Sequence, residues 1–247
     1  PPTGPLEPEL EGGVFRNAAG GVLGADDKGA VAALLHASSV LVRSGRPHPP
    51  YELLFTVSEE TALTGVKHLD MDSLQSPVGI VLDSSGPVGG ITVAAPSQNT
   101  IRATFVGRAA HAGVEPEKGC SAIWAAGKAL ARMRLGRLDE ETTANVGVVR
   151  GGTARNIVPE ECLLEAETRS HCDRKLAEAT SMVVDALNVG AADVGADLRL
   201  QVVTEYRRYR LGPRSTVVRL ARSAIQRAGL EPRIQVAGGG ADANILN

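Results

Sequence analysis

Residues 52–60, ELLFTVSEE, decide how the chain is read. A continuous apolar run closing on polar residues is the pattern of a strand buried on both faces. Val78–Asp83 (VGIVLD) repeats that pattern. Ahead of both, Val31, Leu34, Leu35, Leu41 and Val42 recur at helical spacing between Asp27 and Arg43, with Gly45 just past the end. Asp26 and Asp27 stand at that helix's N-terminus, where the macrodipole favours negative charge. Buried strands alternating with helices make this part α/β.

Beyond about Ser97 the texture changes. Asn99–Gly107 reads as a strand, Pro116–Met133 as a helix, and Ala144–Arg150 and Cys162–Arg169 as two strands. Asp173–Val194 reads as a helix and Leu198–Arg207 as a fourth strand. The order β-α-β-β-α-β is the ferredoxin-like unit. Ser215–Ala228 is helical again, and Arg233–Val236 is a strand running into Gly238-Gly239-Gly240. The expected architecture is an α/β domain, residues 1–96 and 209–247, interrupted by an inserted α+β domain, residues 97–208.

Composition fits that size. The 247 residues amount to one large domain or two small ones. With 43% hydrophobic and 22% charged residues the chain can bury a sizeable core. Twenty-six Lys and Arg against 28 Asp and Glu give no support to nucleic-acid or anionic-membrane binding. The apolar runs are far too short to span a bilayer, and the N-terminus does not read as a signal peptide. Three cysteines without metal-finger spacing point to a reduced, cytoplasmic compartment. The chain opens on Pro1 and stops at Asn247 in what reads as a helix start, so it is expected to be a piece of a longer protein, truncated at both ends.

Glu59-Glu60 follow the first buried run directly, and strand C-terminal ends are where open α/β sheets place their sites. Two adjacent carboxylates resist ionising together unless a cation intervenes. One can then ligate while the other moves a proton. Asp26 alone reads as an N-cap and Asp83 alone as a turn-starting residue. Three carboxylate positions at the ends of core elements fit an oxygen-rich divalent site better than three separate turns. His111 sits in a Gly- and Ala-flanked loop, Asn156 in a hairpin-type turn, and Arg169 at a strand end where it can clamp a carboxylate or pair with Glu167. The run at Gly238–Gly240 offers backbone N–H groups but lacks a P-loop lysine, which speaks against a nucleotide site. His36, His48, His68 and His171 read as surface residues.

Taken in order, LGADDKGAVAALL (23–35), FTVSEETALTGVKHLD (55–70), VLDSSGPVGGITVAAPSQ (81–98), GRAAHAGVEPEKGCSAI (107–123), GGTARNIVP (151–159) and GGGADAN (238–244) resemble the M20 family of metallopeptidases, in its peptidase T-like (tripeptide aminopeptidase-like) branch. That resemblance implies a zinc-dependent α/β catalytic domain interrupted by a ferredoxin-like lid used in homodimerisation. It implies two Zn2+ ions, with Co2+ or Mn2+ as alternatives, bridged by Asp26 and ligated separately by Glu60 and Asp83. Glu59 would be the general base toward the water between the metals, and His111 the oxyanion-stabilising histidine, reaching across a dimer. Asn156 and Arg169 would hold the substrate, with Gly239 and Gly240 lining the cleft. The reaction implied is release of the N-terminal residue from short peptides. N-acyl-amino-acid amidohydrolase and carboxypeptidase activities share this fold and chemistry. A non-catalytic dimerising fragment that binds no metal is the reading from another class.

The family's His-x-Asp motif and its final histidine ligand have no counterpart among these residues. The isolated chain is therefore expected to be inactive or nearly so.

Overall fold

The computed structural model describes residues 4–247, so the first three residues of the expected catalytic part lie outside the described residues. A short hairpin, β1 (Pro8–Glu11) and β2 (Val14–Asn17), leads into α1 (Lys28–Ser44) and α2 (Thr64–Lys67). Then follow β3 (Gly90–Ala95), β4 (Ser97–Val106), α3 (Ala122–Leu130), β5 (Gly136–Asp139), β6 (Thr142–Gly151) and β7 (Glu161–Ser170). The chain closes with α4 (Asp173–Ala192), β8 (Asp197–Tyr206), β9 (Tyr209–Arg210), α5 (Thr216–Arg227), β10 (Arg233–Val236) and α6 (Ala243–Leu246).

The expected β-α-β-β-α-β unit is present, with one additional edge strand. Its antiparallel sheet runs β5-β6-β7-β4-β8, and β4, at full register from Ser97↔Ser170 to Val106↔Glu161, is covered on one face by α3 and α4. Alternation along β4 and β7 sends Ile101, Ala103, Phe105, Cys162, Leu164 and Ala166 to that face. Each large apolar side chain fully buried there contributes about 1.5–3 kcal/mol. The helix expected at Pro116–Met133 starts late. Pro116–Lys118 is a single 3-10 turn, and Cys120 is drawn into a bridge with Arg108. Ser121 then caps α3 by accepting the Trp124 N–H at 3.2 Å.

Helix α3 buries only alanines, Ala122, Ala125, Ala126 and Ala129, at the i, i+3, i+4, i+7 spacing of one face. Ile123 and Trp124 turn outward: Trp124 is 62% exposed, with the Lys128 ammonium 5.6 Å from its ring centre. A small-residue face lets α4 come close. A Cβ at Gly190 would stand 2.6 Å from the Ala129 nitrogen and 2.8 Å from the Ala125 oxygen.

The remainder is less covered. A mixed sheet, β10-β3-β9, pairs β10 parallel and β9 antiparallel to β3, and α5 packs Val218 onto Ile91 and Val93. Helix α1 agrees with expectation to one residue at each end and stops on Gly45 at φ 62°. The two buried strands expected at Glu52–Ser58 and Val78–Asp83 are not formed. A parallel strand needs a hydrogen-bonded neighbour, and neither stretch joins a ladder among the described residues. Leu54, Phe55, Ile80 and Leu82 are exposed instead, as are Leu35 and Val42 on the apolar side of α1. Glu52 accepts the backbone N–H groups of Gln75 and Ser76, so the two stretches are tied at one end. Among the described residues no helix is long and apolar enough to cross a membrane.

Gly190→Val should lower unfolding free energy by about 2–3 kcal/mol, because the helix pair cannot part without opening the core. Gly127→Ala, on the open side of α3, should raise it by about 0.5–1 kcal/mol. Urea denaturation of the two variants checks both signs.

Candidate active site

The acidic residues converge as the sequence suggests, with one change of membership. Asp26 and Asp27, joined by a cis peptide bond at the start of α1, meet Asp83, and one carboxylate oxygen from each lies within 4.8 Å of the others. Glu60, expected as a ligand, is exposed and outside that trio, while Asp27, read only as a helix-start residue, is inside it. The charged groups that act most strongly on Glu59 and Asp83 are other carboxylates. Burial, then Asp83, Glu60, Asp242 and Asp26, push Glu59 up to about 7. Burial followed by Asp26 and Asp27 likewise raises Asp83, and burial followed by Asp26 raises Asp27. An all-oxygen donor set of uncompensated negative charge suits a divalent cation.

The Glu59-Glu60 turn is held in a costly shape. Ser58, Ala62 and Leu63 all have φ near 60°, a region worth roughly 1–2 kcal/mol per non-glycine residue. Glu59 accepts the Leu63 N–H at 2.9 Å, and Ser58 accepts those of Thr61 and Thr64. Leu63 and Val66 anchor the turn from below in an apolar cluster with Tyr206.

The glycine loop lies across the same open cleft of about 810 Å3 as Asp83. At Gly240 a Cβ would stand 2.3 Å from the Tyr206 ring, so only glycine fits there. Its N–H donates to the Tyr206 hydroxyl, which donates in turn to Gln98 at 2.6 Å. Arg169 uses Nε and Nη2 on the two Glu167 oxygens, both at 2.9 Å, leaving Nη1 toward Gly239. His111 and Asn156 come together elsewhere: His111 bridges Ile157, and Asn156 accepts the Ala112 N–H at 3.0 Å. Both lie past the Val106 end of β4, whereas Arg169 pairs with Gln98 at its other end. Those ends are roughly 27 Å apart at strand rise. One copy of the chain thus places Arg169 near the glycine loop and keeps His111 and Asn156 far from it.

Likeness to known proteins bears on this arrangement. The peptidase dimerisation domain of the M20 peptidases matches residues 96–194. The Bacillus subtilis (strain 168) protein YqjE is 41% identical over 241 residues, 98% of this chain and 65% of its own length. The structure of a tripeptidase from Staphylococcus aureus subsp. aureus Mu50 superposes with a TM-score of 0.87 at 36% identity, over 98% of this chain and 65% of that one. The chain belongs to the M20 peptidase family. Aminopeptidase PepT from Bacillus cereus ATCC 10987 is similar as well, with a TM-score of 0.80 and 39% identity over the same shares. This M20 chain thus spans about 65% of the length of these relatives.

Some buried polar residues around this carboxylate cluster and glycine loop escaped the sequence reading. Asp242 is 8% exposed and accepts the Thr56 hydroxyl on Oδ2 at 2.5 Å, while its buried Oδ1 has no partner among the described residues. Asn244 and Tyr206 are also buried. Asp242 and Asn244 stand in the same GGGADAN segment whose glycines drew attention, so a signal existed. Tyr206 offered none. His171, read as a surface residue, is half-buried and bonds the Ala237 carbonyl through Nε2 at 2.9 Å.

Glu59 gives a pH dependence with a definite sign. The unfolded chain releases this proton near the ordinary 4.5 and the folded chain near about 7. Between those values the folded state binds more protons, so stability falls as pH rises through that window. With a chelator present, the denaturation midpoint should be higher at pH 5.5 than at pH 8. Glu59→Gln should flatten the difference.

Proposed function

We propose that this chain is the larger part of a di-zinc exopeptidase that releases the N-terminal residue from short peptides, residues 1–96 and 209–247 being catalytic and 97–208 the lid. The observation that carries this reading is the crowding of Asp26, Asp27, Asp83, Glu60 and Glu59 beside a glycine-lined cleft, in a chain whose likeness to a tripeptidase covers 98% of its length.

Asp26, Asp83 and Glu60 would hold the two zinc ions. Asp26 and Asp83 already face each other. Glu60, on an exposed turn, acts on both Asp83 and Glu59. Bound zinc supplies Lewis acidity and a lowered pKa for water. Glu59, raised toward neutrality, takes the proton of the attacking water. As the C–N bond breaks it passes that proton to the leaving amine. Arg169 turns Nη1 toward the glycine loop, where it can meet a substrate carboxylate. The partner's His111 stabilises the negative charge on the carbonyl oxygen and Asn156 holds substrate backbone, because one copy keeps these residues at the far end of its lid. A homodimer through the lid follows, in keeping with the dimerisation domain at 96–194.

The complete product of the gene, dialysed with zinc, should cleave Ala-Ala-Ala from its N-terminus. Glu59→Gln should reduce kcat at least 1,000-fold with zinc content unchanged. Cleavage confined to N-acetyl amino acids would replace this reading with an amidohydrolase.

A further inference from the structure

Two polypeptide crossings connect the five-stranded sheet to the rest of the chain: Pro96, between β3 and β4, and Arg207, between β8 and β9. One side chain grips both. The Asn244 amide nitrogen donates to the Pro96 carbonyl at 3.1 Å and to the Arg207 carbonyl at 2.8 Å. Its oxygen accepts the Ala241 N–H at 3.1 Å. Asn244 is 6% exposed, and both amide hydrogens are engaged, one on each crossing.

Two residues earlier in the same segment, Asp242 holds the Thr56 hydroxyl, three residues ahead of Glu59. The apolar cluster beneath the Glu59-Glu60 turn repeats this connection: Leu63 and Val66 from the turn, Tyr206 from the end of β8, and Ile245 and Leu246 from α6. Hydrogen bonds from Gly240 to Tyr206 and from His171 to Ala237, with the Lys67–Glu205 ion pair, lie around the same junction.

We propose that Asn244 is a positioning residue that fixes the angle of the lid at its two crossings and, through Asp242 and Thr56, couples that angle to the turn carrying Glu59 and Glu60. The word positioning rests on the role proposed above for those two glutamates; the coupling itself does not. Asparagine is needed because the site requires two donors and one acceptor on a short planar group. Aspartate matches its shape and keeps the acceptor, but turns lone pairs toward two carbonyl oxygens. Coupling of this kind is reciprocal and is read as a change at one end following a perturbation at the other.

Amide hydrogen exchange by mass spectrometry on the 247-residue chain tests this without metal or substrate. Asn244→Asp should speed exchange about tenfold or more at residues 95–98 and 206–209 and also at residues 59–64, while residues 162–168 and 179–187 change less than twofold. Thr56→Val should speed exchange at 59–64 and leave 95–98 within twofold. Equal acceleration everywhere in Asn244→Asp would show a merely structural role and overturn the proposal. So would acceleration at the crossings with none at 59–64. Should Asn244→Asp not fold, Asn244→Ser, which keeps one donor, must give the same local pattern at about threefold or more. Failure of both to fold also overturns it. Mn2+ titration followed by electron paramagnetic resonance separates the two readings. Affinity should fall about five- to tenfold in Asn244→Asp. If the complete product of the gene binds no Mn2+, the carboxylate reading fails while the exchange pattern still judges Asn244.

Discussion

Repulsion among carboxylates is the constraint around which the α/β part is organised. Asp26, Asp27, Glu60 and Asp242 all press on Asp83, and all of these but Asp27 press on Glu59 together with Asp83. Left to itself such a cluster would splay apart or stay protonated. The chain opposes the first by fastening the turn from beneath with Leu63 and Val66, and by backbone bonds around Ser58 that hold three non-glycine residues at positive φ. It accepts the second in part, since several of these groups hold their protons more tightly than usual. Strain and like charge concentrated in one place are what a site built around an added cation requires.

The five-stranded sheet is built on the opposite principle. Its four longest strands run ten residues each, the β4–β7 ladder is unbroken, and its buried core is made of side chains that are either small or fully enclosed. Alanines on α3 and Gly190 on α4 bring the helices close enough that little can shift. A stiff unit hung on two peptide crossings transmits motion as a whole body, so control of its orientation falls to the few residues at the junction.

Much of this was legible in the sequence where the signal was local. Helix α1 was readable because its apolar repeat and Gly45 lie within one short stretch, and the β-α-β-β-α-β order because each strand carries its own alternation. Residues 52–58 and 78–83 show the limit: an apolar run declares that it wants burial but not which neighbour supplies the ladder. Asp26 and Asp83 could be nominated because each stands at the end of an apolar element. Glu60 sits instead in the left-handed turn at 58–63, for which Ser, Ala and Leu give no warning. The partners of Asp242 and Asn244 lie 186, 148 and 37 residues away in sequence, beyond the reach of any pattern read along the chain.

Trp124 is the single tryptophan of the chain, and it stands largely in water on the outer side of α3 with an ammonium over its ring. Indole emission therefore comes from one address, the solvent face of the dimerisation domain, with nothing from the carboxylate cleft. Its colour and its accessibility to collisional quenchers report directly on whether that helix is covered by another surface. A change in that one signal would therefore mark the covering of this helix by any second surface, without a label being added.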